Sequence, residues 1–203
     1  MTATALDPDI TDDRDAVLDG ALAAFLDFGV RKTNMADIAR RAGISPATLY
    51  RRYSQKSDLV AAVGLREAQR VLARLSNVID AEATPLEQLT QLYLAVSEQV
   101  RGNELLHRLL ATEPDSVLPK LTVDAEPILE IGRAYLADFL TRLQDDGHLP
   151  RYDVRPVADA LTRLTQSEML TPSKTALSPR EARAFVRDHL APFIRLTSEG
   201  KHR

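Results

Sequence analysis

Residues 33–59, TNMADIARRAGISPATLYRRYSQKSDL, hold two short helical patterns separated by a glycine. Ile38 and Ala39, then Ala42-Gly43-Ile44, then Leu49 and Tyr53 place apolar side chains at helical spacing on both sides of that break. Gly43 supplies the left-handed backbone of a helix C-cap, and Ser45-Pro46 is an N-cap with proline at the first helical position. Ala39 is small where the next helix crosses at close range. Ile44 and Leu49 pin the second helix to the first, and Leu49 with Tyr53 faces the core. The pattern is that of a helix-turn-helix, whose second helix projects into the DNA major groove. Its exposed positions are expected to be Ser45, Pro46, Ala47, Thr48, Tyr50, Arg51 and Arg52.

Charge around this stretch agrees. The chain has 203 residues and a net charge of −3, which taken whole argues weakly against binding nucleic acid. Residues 31–56 hold Arg31, Lys32, Arg40, Arg41, Arg51, Arg52 and Lys56 against Asp37, a balance of +6 that leaves −9 elsewhere. A basic run also describes a merely solvated face. Its coincidence with the two-helix spacing favours a docking surface for phosphates.

Thr33–Leu59, with Phe25 and Gly29 before it, resembles the N-terminal signature of the tetracycline-repressor (TetR) family. Ile38-Ala39, Ala42-Gly43-Ile44-Ser45, Thr48-Leu49-Tyr50, Tyr53, Lys56 and Leu59 sit at the family's spacing. The resemblance implies that Thr48, Tyr50 and Lys56 contact phosphates, with Lys32 and Thr33 as further phosphate candidates. Arg51 and Arg52 are left between a guanine edge and phosphate, and Tyr50 has packing as its bland alternative. The sequence departs from the family at Pro46-Ala47, where many members have a basic or polar residue followed by glycine. Ala47 can offer only apolar contact, for instance to a thymine methyl.

Outward from this stretch, helical patterns continue in both directions, and the expected fold is all-α with about nine helices. An acidic tail over residues 1–10 is expected to be disordered. Thr11 then caps a helix with Asp12, Asp13 and Asp15 in its first turn and a Leu18/Ala21/Leu22/Phe25/Phe28 face ending at Gly29. Ser54 is read as the cap of a long helix reaching Ile79. Thr84-Pro85-Leu86-Glu87 reads as a full capping box opening a helix through Val100. A short helix over Glu104–Thr112 precedes a connection punctuated by Pro114 and Pro119. A helix from Ala125 to Asp145 carries two apolar stripes. Asp153 caps a helix with Val157, Leu161 and Leu164 inside, and Ser178-Pro179-Arg180-Glu181 opens the last one. The expected domains are residues 11–56, reading DNA, and 57–203, binding an effector and dimerising.

The resemblance implies that the C-terminal part binds a small molecule and forms a homodimer through its last two helices. Leu161, Leu164, Phe185, His189 and Phe193 are the expected interface residues, and plain intramolecular packing is their bland alternative. A dimer also follows from reach, because one short recognition helix reads too few base pairs and two-fold symmetry matches a palindromic operator. Tyr93, His107, Arg133 and Tyr135 are the candidate effector contacts, and aliphatic surroundings favour an apolar or amphipathic ligand.

The sequence has no cysteine, which excludes disulfides, thiolate metal sites and cysteine nucleophiles. His107, His148, His189 and His202 form no metal-ligand spacing, and neither a phosphate-binding glycine loop nor a nucleophile elbow is present. No cofactor and no metal are expected, and a helical enzyme is the distant alternative. Residues 1–11 lack the basic and apolar regions of a secretory signal, and no apolar run approaches the ~18 residues needed to span a bilayer. The expected setting is the cytoplasm, with no membrane partner. Whether the regulator represses, activates or works without a ligand stays open at this level.

Overall fold

A computed structural model describes residues 8–173 and 175–196. Among them there is only helix and connection: α1 Pro8–Phe28, α2 Met35–Arg41, α3 Pro46–Arg52, α4 Lys56–Val78, α5 Pro85–Arg101, α6 Glu104–Thr112, α7 Pro114–Leu121, α8 Glu126–Asp145, α9 Arg155–Leu170 and α10 Pro179–Phe185. A π-helical turn, Val186–Leu190, and α11, Ala191–Phe193, prolong α10. The all-α expectation is met. None of these helices is long and apolar enough to cross a membrane.

Several boundaries differ from the sequence reading for local reasons. The acidic tail expected over residues 1–10 lies outside the described residues as far as Asp7. From there α1 is already helical at Pro8, three residues before the expected cap Thr11. Residues 114–121 are a helix rather than a connection. Pro114 occupies its first turn, Pro119 falls near its end, and Val117 and Leu121, four apart, are both buried. Ser54 acts through Asp58: its hydroxyl donates to the Asp58 carboxylate at 2.8 Å. At α5 only the Thr84 half of the capping box forms, Thr84 Oγ1 accepting from the Glu87 amide, while the Glu87 carboxylate pairs with Arg183 of α10. Both halves form at Ser178 and Glu181.

The chain packs as two compact units. The first comprises the described residues up to Glu67 together with Glu104–Thr122, the second Ala68–Asn103 together with the described residues from Val123 onward. In the first, Val17, Ala21, Phe25, Ile38, Leu49, Leu59 and Val63 form the core. Arg66 of α4 is buried there and reaches α1, donating to the Asp15 carbonyl at 3.0 Å and pairing with Asp19 at 2.9 Å.

The second unit is centred on Phe139, Leu140 and Leu143 of α8, packed with Leu89 and Leu92 of α5, Ala158 of α9, and Val186 and Ile194. Buried Gln144 donates to the carbonyls of Pro150 and Tyr152, closing the turn between α8 and α9. The Tyr152 hydroxyl donates to the Ile194 carbonyl at 2.9 Å. Gly132 lies against α9, where an added Cβ would stand 2.9 Å from Thr162 Cγ2. Thr162 has little freedom to yield, because it is β-branched and its hydroxyl donates to the Ala158 carbonyl. Gly132→Ala is therefore expected to lose about 1–2 kcal/mol by overpacking, although alanine is the better helix former. Urea unfolding reads this directly, and a gain in stability would contradict the close-packing account.

Candidate nucleic-acid interface

Local chemistry builds the helix-turn-helix. Asn34 caps α2, its side-chain oxygen accepting from the Asp37 amide at 2.8 Å. Met35, Ile38 and Ala39 are the buried side of α2. Its end is a Schellman turn: the Ile44 amide donates to the Ala39 carbonyl at 3.0 Å, the Gly43 amide to the Arg40 carbonyl at 3.3 Å, and Gly43 has φ +70°. Ser45 then caps α3, accepting from the Thr48 amide at 3.1 Å, with Pro46 in the first turn. On α3 itself Leu49 is the buried residue, and Tyr53 follows it into the core.

That anchoring leaves Ser45, Pro46, Ala47, Tyr50, Arg51 and Arg52 exposed. Thr48 is half-buried, and its hydroxyl lies 2.9 Å from Ser45 Oγ, so both hydroxyls are already engaged at the cap. Lys32 is exposed in the turn between α1 and α2.

Two of the residues expected to touch phosphate are placed otherwise. Thr33 is only 2% exposed, and its hydroxyl donates to the Gly29 carbonyl at 2.8 Å with the Ala24 carbonyl 3.1 Å away. Lys56 turns inward: Nζ donates to the carbonyls of Val30 at 2.6 Å, Thr33 at 2.9 Å and Arg31 at 3.3 Å. An ammonium has three donors, and three converging carbonyls outcompete an open solvent position. Lys56 and Thr33 hold the turn that carries Arg31 and Lys32.

The basic surplus is spread unevenly. Arg40 pairs with Asp37 and Arg41 with Asp27, each at 2.8 Å, and Arg41 also lies over the Phe28 ring. Arg31, Lys32 and Arg51 are exposed, and their charged ends have no ion pair among the described residues. Arg31 was counted in the basic run but not among the expected contacts. At the start of α4 the Ser54 hydroxyl, with Gln55, holds the Asp58 carboxyl below the usual range.

The expected effector contacts fall in both units. His107 belongs to the first, and its Nε2 is buried with no hydrogen-bond partner among the described residues. Tyr93, Arg133 and Tyr135 belong to the second. The Tyr93 ring stands 5.3 Å from Phe185. Arg133 is held by Glu126, Glu130 and Asp159, an arrangement that raises its pKa further and leaves its guanidinium occupied. The Tyr135 hydroxyl is buried and has no hydrogen-bond partner among the described residues. A half-open cavity of about 210 Å³ lies between α4 and α5, bordered by Leu75, Leu94, Glu98 and Gln99, and none of the four candidates lines it. Of the expected interface residues, Leu164 is 60% and Phe193 50% exposed, His189 is exposed, and Leu161 and Phe185 are half-buried. Leu164 thus faces outward rather than into the helical core.

Residues 17–63 match the family described as bacterial regulatory proteins, tetR family, and residues 80–187 match the bacterial tetracyclin repressor C-terminal domain. An HTH-type transcriptional regulator of Mycobacterium bovis is 28% identical over 152 residues, 74% of this chain and 77% of its own length. The HTH-type transcriptional repressor KstR2 of Mycolicibacterium smegmatis is 33% identical over 87 residues, 43% of this chain and 42% of its own. Among solved structures, the TetR family repressor AlkX of Dietzia, implicated in biodegradation of n-alkanes, superposes with a TM-score of 0.69 at 21% identity. That likeness covers 89% of this chain and 96% of AlkX. The turn geometry, the exposed face of α3 and these two matched regions have one reading: the chain belongs to the tetR family of bacterial regulatory proteins, DNA-binding transcriptional regulators.

Proposed function

We propose that the protein is a homodimeric repressor that holds a palindromic operator through α3 and is released by a small apolar or amphipathic ligand. The observation that carries this is α3 itself: one buried leucine pins it, and Tyr50, Arg51 and the Pro46-Ala47 tip stand free to enter a major groove. Seven residues reach few base pairs, so two copies related by a two-fold axis are needed for a site of useful length. Leu164 on α9 and Phe193 on α11 are large apolar side chains exposed in a single chain, and they support a second copy covering the last helices. Residues 11–56 would read DNA, and residues 57–203 would dimerise and take the ligand. The unpartnered Tyr135 hydroxyl within an aliphatic unit supports a ligand with a polar group on an apolar body. The names of KstR2 and AlkX support repression. Ligand would alter the spacing or tilt of the two recognition helices, and operator and ligand would then weaken each other's binding by the same factor. The protein would work in the cytoplasm, beside the chromosome.

Selection of bound duplexes from a random pool tests this reading: a palindromic consensus supports it, and no salt-dependent binding to any duplex would end it. Lys32→Ala is expected to weaken binding with little regard to sequence and to flatten the plot of log affinity against log salt by about one per half-site. Anisotropy titrations from 50 to 200 mM salt measure that slope, and an unchanged slope removes Lys32 from the interface.

A further inference from the structure

Glu113, between α6 and α7, is a carboxylate only 9% exposed in a part of the chain far from the helix-turn-helix in sequence. Its Oε1 accepts from the backbone amide of Arg31 at 2.7 Å, across 82 residues. Burial of a carboxylate is unfavourable unless it is hydrogen-bonded, so its aim at this amide is a specific feature. The space it uses exists because position 29 is glycine: an added Cβ there would stand 3.0 Å from Oε1. Arg108, one turn earlier on α6, donates to the carbonyls of Leu26 and Asp27 at the end of α1. The Arg31–Thr33 turn is thus gripped from two sides, its carbonyls by Lys56 and its amide by Glu113. That turn carries Arg31 and Lys32, two exposed cations without ion pairs among the described residues.

The geometry points to Glu113 as a positioning residue for phosphate binding: a buried acid that strengthens the grip on a polyanion by fixing the backbone beneath two cations. This rests on the reading of the protein as a DNA binder. It runs against simple electrostatics, in which any acid near phosphates weakens binding and its loss tightens it.

Separating charge from reach decides the matter. Glu113→Gln removes the charge and keeps an oxygen able to accept from the Arg31 amide. Glu113→Asp keeps the charge and withdraws the oxygen by one methylene. Positioning requires the glutamine variant to bind a selected operator at least as tightly as the native chain. The aspartate variant should bind about ten-fold more weakly with a flatter salt slope, a loss worth about 1.4 kcal/mol. Glu113→Ala should follow the aspartate variant. The Arg31 amide, read by hydrogen exchange without DNA, should exchange faster in the aspartate and alanine variants and as in the native chain with glutamine. Aspartate binding as the native chain does while glutamine binds more tightly would overturn the inference, as would Arg31 exchange that is the same in all four proteins. Absence of operator binding by the native chain would count against the functional reading alone, since the exchange measurement still judges the role of Glu113.

Discussion

Leu49→Ala is expected to abolish operator binding and to remove about 2–5 kcal/mol of stability. Leu49 is the buried residue of α3 and has no exposed surface, so its truncation leaves a cavity where α3 packs on α2. The stability loss is a large share of the 5–15 kcal/mol typical of a domain. Binding suffers more, because a seven-residue helix does not persist without packing and α3 has no second buried side chain within its span. Tyr53, one turn on, holds only the exit of the helix. Urea unfolding should show a lower midpoint at unchanged slope, and duplex titration should show no specific complex. Leu49→Met, close in volume, should cost less than about 1.5 kcal/mol and retain binding. An alanine variant that binds a selected operator like the native chain would end this account of α3.

Phe139→Ala is the second large effect, expected at about 3–5 kcal/mol. Phe139 is 2% exposed and sits where α5, α8 and the segment around Val186 and Ile194 converge. Its ring is among the largest fully buried side chains of the chain, and the close-packed surroundings of Leu140, Leu143 and Ala158 cannot collapse to fill its place. The loss should fall on the second unit. Amide exchange in α5 and α8 should accelerate far more than exchange in α2 and α3, whereas Leu49→Ala should show the opposite bias. Equal acceleration in both regions for either variant would contradict the division of the chain into two cores.

Much of the architecture was legible because it is local. Asn34 to Ile44 forms a capped helix and a left-handed turn from nearest-neighbour chemistry, and the Gly43 position announces itself in one letter. Ser45-Pro46 and Ser178-Pro179 opened helices where the sequence placed them. Local rules failed where a distant group competed. Glu87 left its own cap amide for Arg183, an ion pair between residues 96 positions apart that no capping rule anticipates. Residues 114–121 read as a connection because two prolines outweigh a pattern only eight residues long, yet Val117 and Leu121 gain enough by burial to keep the helix.

An all-α chain, a helix-turn-helix at residues 33–59 and the exposed side of α3 could all be read from the residues alone, since helix periodicity, capping and the αL glycine act over three or four residues. Which cations remain available was decided by tertiary structure. Of the seven basic residues between 31 and 56, Lys56 is drawn inward by the carbonyls of Val30, Arg31 and Thr33, and Arg40 and Arg41 are paired with Asp37 and Asp27. Thr33 and Glu113 likewise take their meaning from partners on other elements. A count of charges gives the total, but availability depends on which donors and acceptors the fold brings within 3 Å, and the 82 residues between Arg31 and Glu113 carry no local signal of that meeting.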